Sequence, residues 1–390
     1  MGIRGKSSSF YSFLKVAGVY IHIPYCKSKC SYCDFYSTPQ VTTISQYVDA
    51  LLVEVKLRAS LIGDAPIKTL YVGGGTPSVM PTSLLQKLVH GLSDILDLSQ
   101  VEEFTIEVNP DDVTVEYVIA LRQLGINRVS MGVQSFIDSE LRAINRRHSS
   151  QQAIDAATSI KAGGIDNVSI DLIYGLPGQT LTSWQQSVDQ ALALEVQHIS
   201  AYNLSYEPGT RLWVMREKGR VQEVSDDECI AMYDYLVNIL KSAGYEHYEI
   251  SNFALPEYRS RHNSSYWNFT PYLGLGAAAH SFDGTARSYN PANFKLYIES
   301  LDSGKTAFVE ENLEWWERHD EEVMVRLRTC DGLDTSLIRE HYGEKAYSSI
   351  NEKSKKFLVS GLLEKHGDTL VLTHKGVMVS DTIIRTLMWD

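Results

Sequence analysis

The sequence predicts an α/β fold with a parallel sheet, because short β-rich runs alternate with longer amphipathic runs through the first half of its 390 residues. Cysteine, glycine or polar motifs follow the β-rich runs, and parallel barrels carry their chemistry where the strands end. Six such units predict a partial (β/α)6 barrel. The predicted strands are 19–23, 69–72, 104–108, 127–132, 167–173 and 200–204.

A helical pattern follows each of the first five predicted strands. In the first pattern, Ile44, Leu51 and Val55 recur with helical spacing, and Thr43 followed by Gln46 is typical of a capping box. The other amphipathic runs end at glycine or at a polar turn, as helices commonly do. They are expected at 81–96, 114–124, 151–162 and 181–194.

The chain divides into four predicted segments. Residues 1–18 form a lead that we expect to be disordered, and residues 19–205 form the barrel. Residues 206–305 are aromatic and irregular, and we interpret them as a connecting segment packed on the barrel. Residues 306–390 predict a mainly helical, winged-helix-like domain, because helical patterns precede a hairpin-like run at 362–372 and a final helix.

The amino-acid composition and net charge of the chain argue against some classes of function. The chain has 36 Lys and Arg residues against 48 Asp and Glu residues, a formal net charge of −12. This balance disfavours a nucleic-acid scaffold, which depends on cationic contacts to phosphate. The chain is 44% hydrophobic without an apolar run of about 18 residues, which predicts a globular protein with no membrane span. We expect small molecules or proteins as partners.

Three of the five cysteines, Cys26, Cys30 and Cys33, follow the first predicted strand, and the other two lie alone. This is no disulfide framework, in keeping with a cytoplasmic protein. Thiolates are soft ligands that suit zinc or an iron–sulfur cluster. Structural zinc prefers four ligands, and only His22, in mid-strand, could be the fourth. Three thiolates can instead hold a cubane with one open iron. We favour the cluster, with zinc and unliganded thiols as alternatives.

Three other predicted strands carry glycine or polar signals at or near their ends. The Gly-Gly-Gly-Thr-Pro motif at 73–77 could bring bare backbone carbonyls against an ammonium group, or could simply form a tight turn. Glu107 and Asp171 lie in otherwise apolar strands, where a carboxylate is costly unless it faces a polar cavity or an ion pair. The alternative for each is a structural pair with Arg128 or Arg146.

Together these motifs resemble the radical S-adenosylmethionine (SAM) superfamily. They are similar to the branch that contains oxygen-independent coproporphyrinogen III oxidase (HemN) and the haem chaperone HemW. The resemblance runs from about Val19 to the carboxyl end. Besides the cysteines and the residues before them, it rests on the motifs at 73–77, 107–110, 128–136, 171–180 and 207–210.

The resemblance implies that Cys26, Cys30 and Cys33 hold a 4Fe-4S cluster whose open iron takes the amine and carboxylate of SAM. An electron donor would reduce the sulfonium and release a 5′-deoxyadenosyl radical, a step that needs no general base, so we nominate no catalytic residue. Arg147 is an adjacent rival to Arg146 in the implied site. The SAM-binding residues that the resemblance implies are Tyr20, Tyr32, Gly74, Gly75, Thr76, Glu107, Gln134, Arg146 and Asp171.

Two features separate the members of this branch. The oxidase carries a further cysteine two positions after its third cluster ligand, where this chain has Phe35. The segment His262-Asn263-x-x-Tyr266-Trp267 is similar to an H-N-x-x-Y-W element of the chaperone. Neutral imidazole suits haem iron, which makes His262 a candidate haem ligand, although a lone histidine is more often structural. His22 and His280 are alternatives for the same role.

We therefore expect a haem-binding chaperone that passes haem to an acceptor protein still to be identified. The alternative is an oxidoreductase that decarboxylates coproporphyrinogen III by radical chemistry. A third interpretation makes the winged-helix-like segment a DNA-binding module, but acidic residues between 310 and 322 oppose contact with phosphate.

Overall fold

Six parallel strands form the centre of the molecule and lie side by side in chain order, which confirms the predicted partial barrel. The structure is a computed structural model that describes residues 16–389. Of the predicted lead, residues 1–15 lie outside the described residues, and Ala17 and Gly18 already belong to the first strand. The six strands are β1 (Ala17–Ile23), β2 (Ile67–Gly74), β3 (Glu103–Val108), β4 (Arg128–Gln134), β5 (Asn167–Tyr174) and β6 (His198–Asn203).

Helices follow the first five strands and pack on the outer face of the sheet. All five predicted helices are present. The fourth connection also contains a short helix of six residues that the sequence analysis missed, because so few residues show no helical period. The helices are α1 (Ile44–Arg58), α2 (Thr82–Ser93), α3 (Val115–Gln123), α4 (Asp138–Ala143), α5 (Ser150–Ala162) and α6 (Leu181–Ala193).

The two faces of the central strands differ in polarity, since successive side chains of a strand point to opposite faces. Val19 and Ile21 of β1 are buried in the apolar core that the strands share with the outer helices. Tyr20 lies on the inner face, as do Arg128 and Ser130 of β4. The inside of the partial barrel is therefore polar, and an apolar core does not fill it.

The predicted capping box of α1 is wrong. The chain enters α1 through a 3-10 turn at Val41–Thr43, and no side chain caps the helix. The Thr43 hydroxyl instead donates to the Gln40 carbonyl oxygen at 2.8 Å and lies 2.9 Å from the Tyr25 hydroxyl. Because the turn already has helical geometry, that hydroxyl cannot reach the next free N–H groups.

The connecting segment at 206–305 is more regular than its sequence indicates. Its short strands extend the sheet at both edges: one pairs in parallel with β1, and another pairs antiparallel with β6. Strands of three or four residues show too little alternation to be recognised. The elements are α7 (Arg211–Glu217), α8 (Asp226–Ser242), β7 (Glu246–Glu249), β8 (Asn252–Ala254), α9 (Arg261–Trp267), β9 (Tyr272–Leu275), β10 (His280–Phe282), β11 (Arg287–Tyr289) and α10 (Phe294–Asp302).

The carboxyl-terminal part is mainly helical and has its own apolar core, which includes Val323, Ile350 and Leu370. A three-stranded antiparallel sheet contains the predicted hairpin. None of the described helices has the length and apolar character needed to cross a membrane. The elements are β12 (Val309–Glu311), which joins the large sheet, α11 (Trp315–Leu327), β13 (Leu333–Asp334), α12 (Thr335–Val359), β14 (Leu363–His366), β15 (Thr369–Leu372), α13 (His374–Val377) and α14 (Ser380–Leu387).

Candidate functional site

The three clustered cysteines lie on a loop of residues 24–38, the cysteine loop, that leaves the carboxyl end of β1. The base of the loop is closed by two hydrogen bonds with Thr38: its N–H donates to the Pro24 carbonyl at 2.7 Å, and its own carbonyl accepts from the Cys26 N–H at 3.1 Å. In the middle of the loop, the Ser31 N–H donates to the Ile144 carbonyl at 3.0 Å. These backbone bonds hold the cysteines against the barrel mouth.

The glycine motif at 73–77 packs directly against the cysteine loop. The Gly75 and Thr76 N–H groups donate to the carbonyls of Ile23 and Tyr25 at 2.9 and 2.7 Å. A Cβ atom on Gly75 would lie only 2.8 Å from these same backbone oxygens. Gly74 has a φ of 108°, a conformation that side chains disfavour. The glycines are therefore required by close backbone approach, which supports the tight-turn interpretation.

The cysteine loop, the glycine motif and the strand ends enclose a cleft of about 500 Å³. The structure thus brings together most of the predicted site residues, although they come from five separate strand ends. Tyr32 also packs against a small apolar cluster of Ile144, Ile173 and Leu176. The predicted residues that line the cleft are Cys26, Cys30, Cys33, Tyr32, Gly74, Gly75, Thr76, Glu107, Gln134, Arg146 and Asp171.

Arg146, rather than its neighbour, points to the cysteines. Its guanidinium donates to the Cys30 sulfur at 3.4 Å and to the Gly132 carbonyl and the Asn109 side chain. Burial works against its charge, but nearby Tyr32 and Cys30 raise the pKa of Arg146, so the group is cationic. The adjacent arginine, Arg147, pairs instead with Asp111 and Asp112 at 3.1 and 3.2 Å. Asn109 belongs to the site although the sequence analysis did not nominate it.

The two candidate carboxylates face the cleft without pairing with an arginine among residues 16–389. Glu107 accepts hydrogen bonds from the Tyr71 hydroxyl at 2.7 Å and from the Gly74 N–H at 3.0 Å. Asp171 accepts from the Ser130 hydroxyl at 3.3 Å. Burial raises the pKa of Glu107 to about 7 and also raises the pKa of Asp171. These carboxylates are available to a cationic or hydroxyl-bearing ligand.

Gln134 ends β4 in a conformation that is uncommon for its residue type. Its φ is 70°, and a register shift between β4 and β5 occurs at the same place. The left-handed backbone turns the strand end toward the cleft, where the Gln134 side chain is buried. Strain of this kind often marks a functional position.

The chemistry of the donor set suits an iron–sulfur cluster better than a single metal ion. All three thiols are free, and the Thr76 hydroxyl and Arg146 donate to the sulfurs of Cys26 and Cys30. Such donors stabilise negative charge on thiolate ligands. Within residues 16–389, no three His, Cys, Asp or Glu side chains converge closely enough for one ion. A cubane takes each thiolate at a different corner and so needs no such convergence.

A second cavity, the barrel lumen, continues inward from the cleft. It has a volume of about 270 Å³ and shares Glu107 and Asp171 with the cleft. Tyr20 lines this lumen and not the cleft, so its implied contact with SAM stays a prediction. The sequence analysis did not foresee the lumen, although alternating polar residues on the strands are a signal of it. Lumen-lining side chains include Tyr71, Arg128, Ser169, Asn263 and Tyr266.

The H-N-x-x-Y-W element forms α9, which closes the inner end of the lumen. His262 is buried, with Nδ1 2.8 Å from the Thr69 hydroxyl and Nε2 2.9 Å from the Tyr266 hydroxyl. Glu103 accepts hydrogen bonds from the N–H groups of Arg261 and His262 at 2.8 and 2.9 Å. Both imidazole nitrogens are thus engaged, and the ring positions Tyr266.

The two alternative histidines have their own partners. His22 is buried, with Nδ1 2.9 Å from the Tyr20 hydroxyl and Nε2 3.3 Å from the Tyr36 carbonyl oxygen. His280 is exposed on β10, where its ring stacks on that of Tyr289 with the centroids 5.5 Å apart. His280 therefore lies apart from the other two, whereas Tyr20 contacts both His22 and His262: its hydroxyl bonds to His22, and its ring stacks on that of His262 with the centroids 6.2 Å apart.

Comparisons with known proteins identify the family. The model of the Radical SAM superfamily matches residues 20–191, and that of the HemN C-terminal domain matches residues 313–379. A Bacillus subtilis protein named heme chaperone HemW is 33% identical over 95% of this chain and 99% of its own length. A Mycobacterium tuberculosis protein of the same name is 36% identical over 95% of this chain and 94% of its own length.

A solved structure shows the same fold. Escherichia coli coproporphyrinogen III oxidase (HemN), described as a radical SAM enzyme, superposes with a TM-score of 0.83 at 23% identity over 97% of this chain and 92% of that one. At this identity the likeness establishes the fold, whereas the relatives at 33% and 36% identity establish the family. The chain belongs to the radical SAM superfamily and, within it, to the HemW family.

Proposed function

We propose that this protein is a cytoplasmic haem chaperone that binds haem and passes it to an acceptor protein, with a 4Fe-4S cluster and SAM held in the cleft. The main structural support for this proposal is the cleft, which is lined by the three cysteines together with Glu107, Arg146 and Asp171. Relatives that match nearly the whole chain are named heme chaperones, which supports haem as the cargo. A protein electron donor for the cluster is a further partner in this proposal.

Each group in the cleft has a task in this proposal. The three thiolates hold the cluster, and hydrogen bonds from Thr76 and Arg146 stabilise their charge. The Glu107 and Asp171 carboxylates bind the ammonium group and ribose hydroxyls of SAM, and Gln134 helps to orient the ligand. When bound, the cluster and SAM supply one-electron chemistry to the site.

The alternative of a coproporphyrinogen III oxidase is not favoured. The position of the oxidase's further cysteine is occupied by Phe35, whose side chain is 64% exposed at the mouth of the cleft. Its phenyl ring cannot take the place of a thiol in ligation or redox chemistry. Nothing in the cleft geometry argues for the oxidase over the chaperone.

An anaerobic comparison of the two activities tests the proposal. The reconstituted protein is titrated with haem, incubated with an apo-haemoprotein acceptor, and separately assayed with coproporphyrinogen III, SAM and a reductant. We expect stoichiometric haem binding, haem transfer and no protoporphyrinogen. Robust protoporphyrinogen formation, or failure to bind haem, would overturn the proposal. A Cys30→Ala variant, which removes a cluster ligand, serves as the control for chemistry that depends on the cluster.

A further inference from the structure

The barrel lumen contains a buried cation without a local counter-ion contact. Arg128 is 1% exposed, and its Nε has no hydrogen-bond partner among residues 16–389. Its guanidinium lines the lumen. Glu107 and Asp171 share the lumen with Arg128, whose charge offsets part of the burial that raises their pKa values, but no hydrogen bond or ion pair joins Arg128 to either carboxylate among residues 16–389. A buried guanidinium is costly without a partner, so this position is suited to an anion.

A second donor faces the same space. Asn263, from the H-N-x-x-Y-W element, lines the lumen. Its backbone N–H donates to the Ser260 hydroxyl at 3.3 Å, and its side-chain amide has no hydrogen-bond partner within the described part of the chain. Its helix is fixed by the bonds from α9 to Glu103 and by the contact between His262 and Thr69 of β2. The fold therefore holds a guanidinium and an amide ready at one end of a polar cavity.

The lumen is reached from the cleft. The two cavities share Glu107, Ser130, Asp171 and Tyr202 along their boundary. In the proposed function, the two carboxylates on this boundary serve SAM, which leaves Arg128 as the cation for a second ligand. A molecule in the cleft that carries a flexible acidic arm can extend that arm past the boundary to Arg128.

We propose that the lumen binds a carboxylate arm of the cargo, with Arg128 as its anchor and Asn263 as a second donor. The ligand class is a molecule with a carboxylate on a short chain. This inference rests on the proposed function, under which the arm is a propionate of haem. Arg128 forms a charge-assisted hydrogen bond with the carboxylate, a stronger contact than a neutral hydrogen bond.

The test compares haem with haem dimethyl ester, in which both propionates are blocked. Binding of each to the anaerobically reconstituted full-length protein is measured by absorption titration. We expect the wild type to bind haem about tenfold or more tightly than the ester, as a hydrogen bond to a charged group implies. Arg128→Gln removes most of that preference, Asn263→Ala removes part of it, and Arg142→Gln, a change at an exposed arginine of α4, leaves it intact.

The outcomes separate the two proposals. If the wild type binds neither porphyrin, the chaperone function fails. If it binds haem and the ester equally well, the function stands and the carboxylate anchor is overturned, even if the Arg128→Gln variant does not fold. A SAM titration completes the test: if Arg128→Gln weakens SAM binding and leaves the haem preference intact, the arm belongs to SAM and the inference is overturned.

Discussion

At the scale of single residues, two neighbouring arginines that look equivalent in the sequence have different partners in the structure. Arg146 and Arg147 are adjacent in the chain. Arg146 donates to the Cys30 sulfur, whereas Arg147 pairs with two aspartates. The turn that follows α4 directs the two side chains to different partners. A guanidinium next to a thiolate stabilises its negative charge. We therefore expect replacement of Arg146 to affect the site more than replacement of Arg147.

Replacement of Arg146 by Ala should weaken SAM binding about tenfold to a hundredfold, because the resemblance places its guanidinium on bound SAM and a hydrogen bond from a charged group contributes ~1.5–3 kcal/mol. Isothermal titration of the anaerobically reconstituted protein measures this effect. The matched variant Arg147→Ala should stay within about threefold of the wild type. Equal losses in the two variants would contradict the assignment of Arg146 to the site.

At the scale of elements, α9 acts as a plug for the barrel. It begins where Glu103 accepts two of its free N–H groups, and Ser260 caps the next one. This arrangement satisfies donors that a buried helix end would otherwise leave unpaired. The conspicuous histidine of this helix stacks on Tyr71 and bonds to Thr69, and it thereby fixes the plug to β2.

A His262→Ala variant should therefore lose about 1–3 kcal/mol of unfolding free energy, since two buried partners lose their hydrogen bonds. We expect its haem absorption spectrum to match that of the wild type, because neither imidazole nitrogen is available to iron. Urea unfolding and haem titration measure the two effects. His366→Ala, at an exposed position of β14, is the control and should change neither. A shifted haem spectrum in His262→Ala alone would assign iron ligation to His262 after all.

At the scale of the whole molecule, the cleft and the lumen form one polar chamber through the partial barrel. The cysteine loop covers its mouth and α9 closes its inner end. Ionisable groups in such a chamber contribute to stability through their shifted pKa values. Glu107 is the clearest case, because burial raises its pKa from an ordinary value of 4.5 to about 7.

The contribution of Glu107 to the stability of the ligand-free protein should fall as pH rises from about 4.5 to about 7, because folded Glu107 holds its proton over a range in which the unfolded chain releases it. The stabilising contribution of Glu107 is fully present below a pH of about 4.5 and is lost above a pH of about 7. Its size is about 2 kcal/mol after allowance for solvent in the cleft. Buried histidines with lowered pKa values, such as His22 and His148, act in the opposite direction over this range. Chemical denaturation should therefore show a stability that rises more steeply with pH in Glu107→Gln than in the wild type, and an unchanged profile in Glu340→Gln at an exposed position. Equal slopes in Glu107→Gln and the wild type would contradict the shifted pKa.

The sequence alone was enough to predict the six-unit barrel and a set of site residues, most of which line the cleft. Strand alternation, helical spacing and compact motifs such as Cys26 to Cys33 are local patterns, so they can be read along the chain. The capping box at Thr43 failed because a 3-10 turn and the distant Tyr25 compete for its hydroxyl. The short strands at the sheet edges were missed because three or four residues carry almost no periodic signal.

What only the tertiary structure decided is where groups far apart in the chain meet. Arg128 and Asn263 are separated by more than a hundred residues, yet both line the lumen. The two ring nitrogens of His262 likewise lie within hydrogen-bond distance of Thr69 and Tyr266. Such pairings depend on which strands are neighbours and on which face each side chain lies. A single strand or helix, considered alone, contains no information about its partner across the barrel.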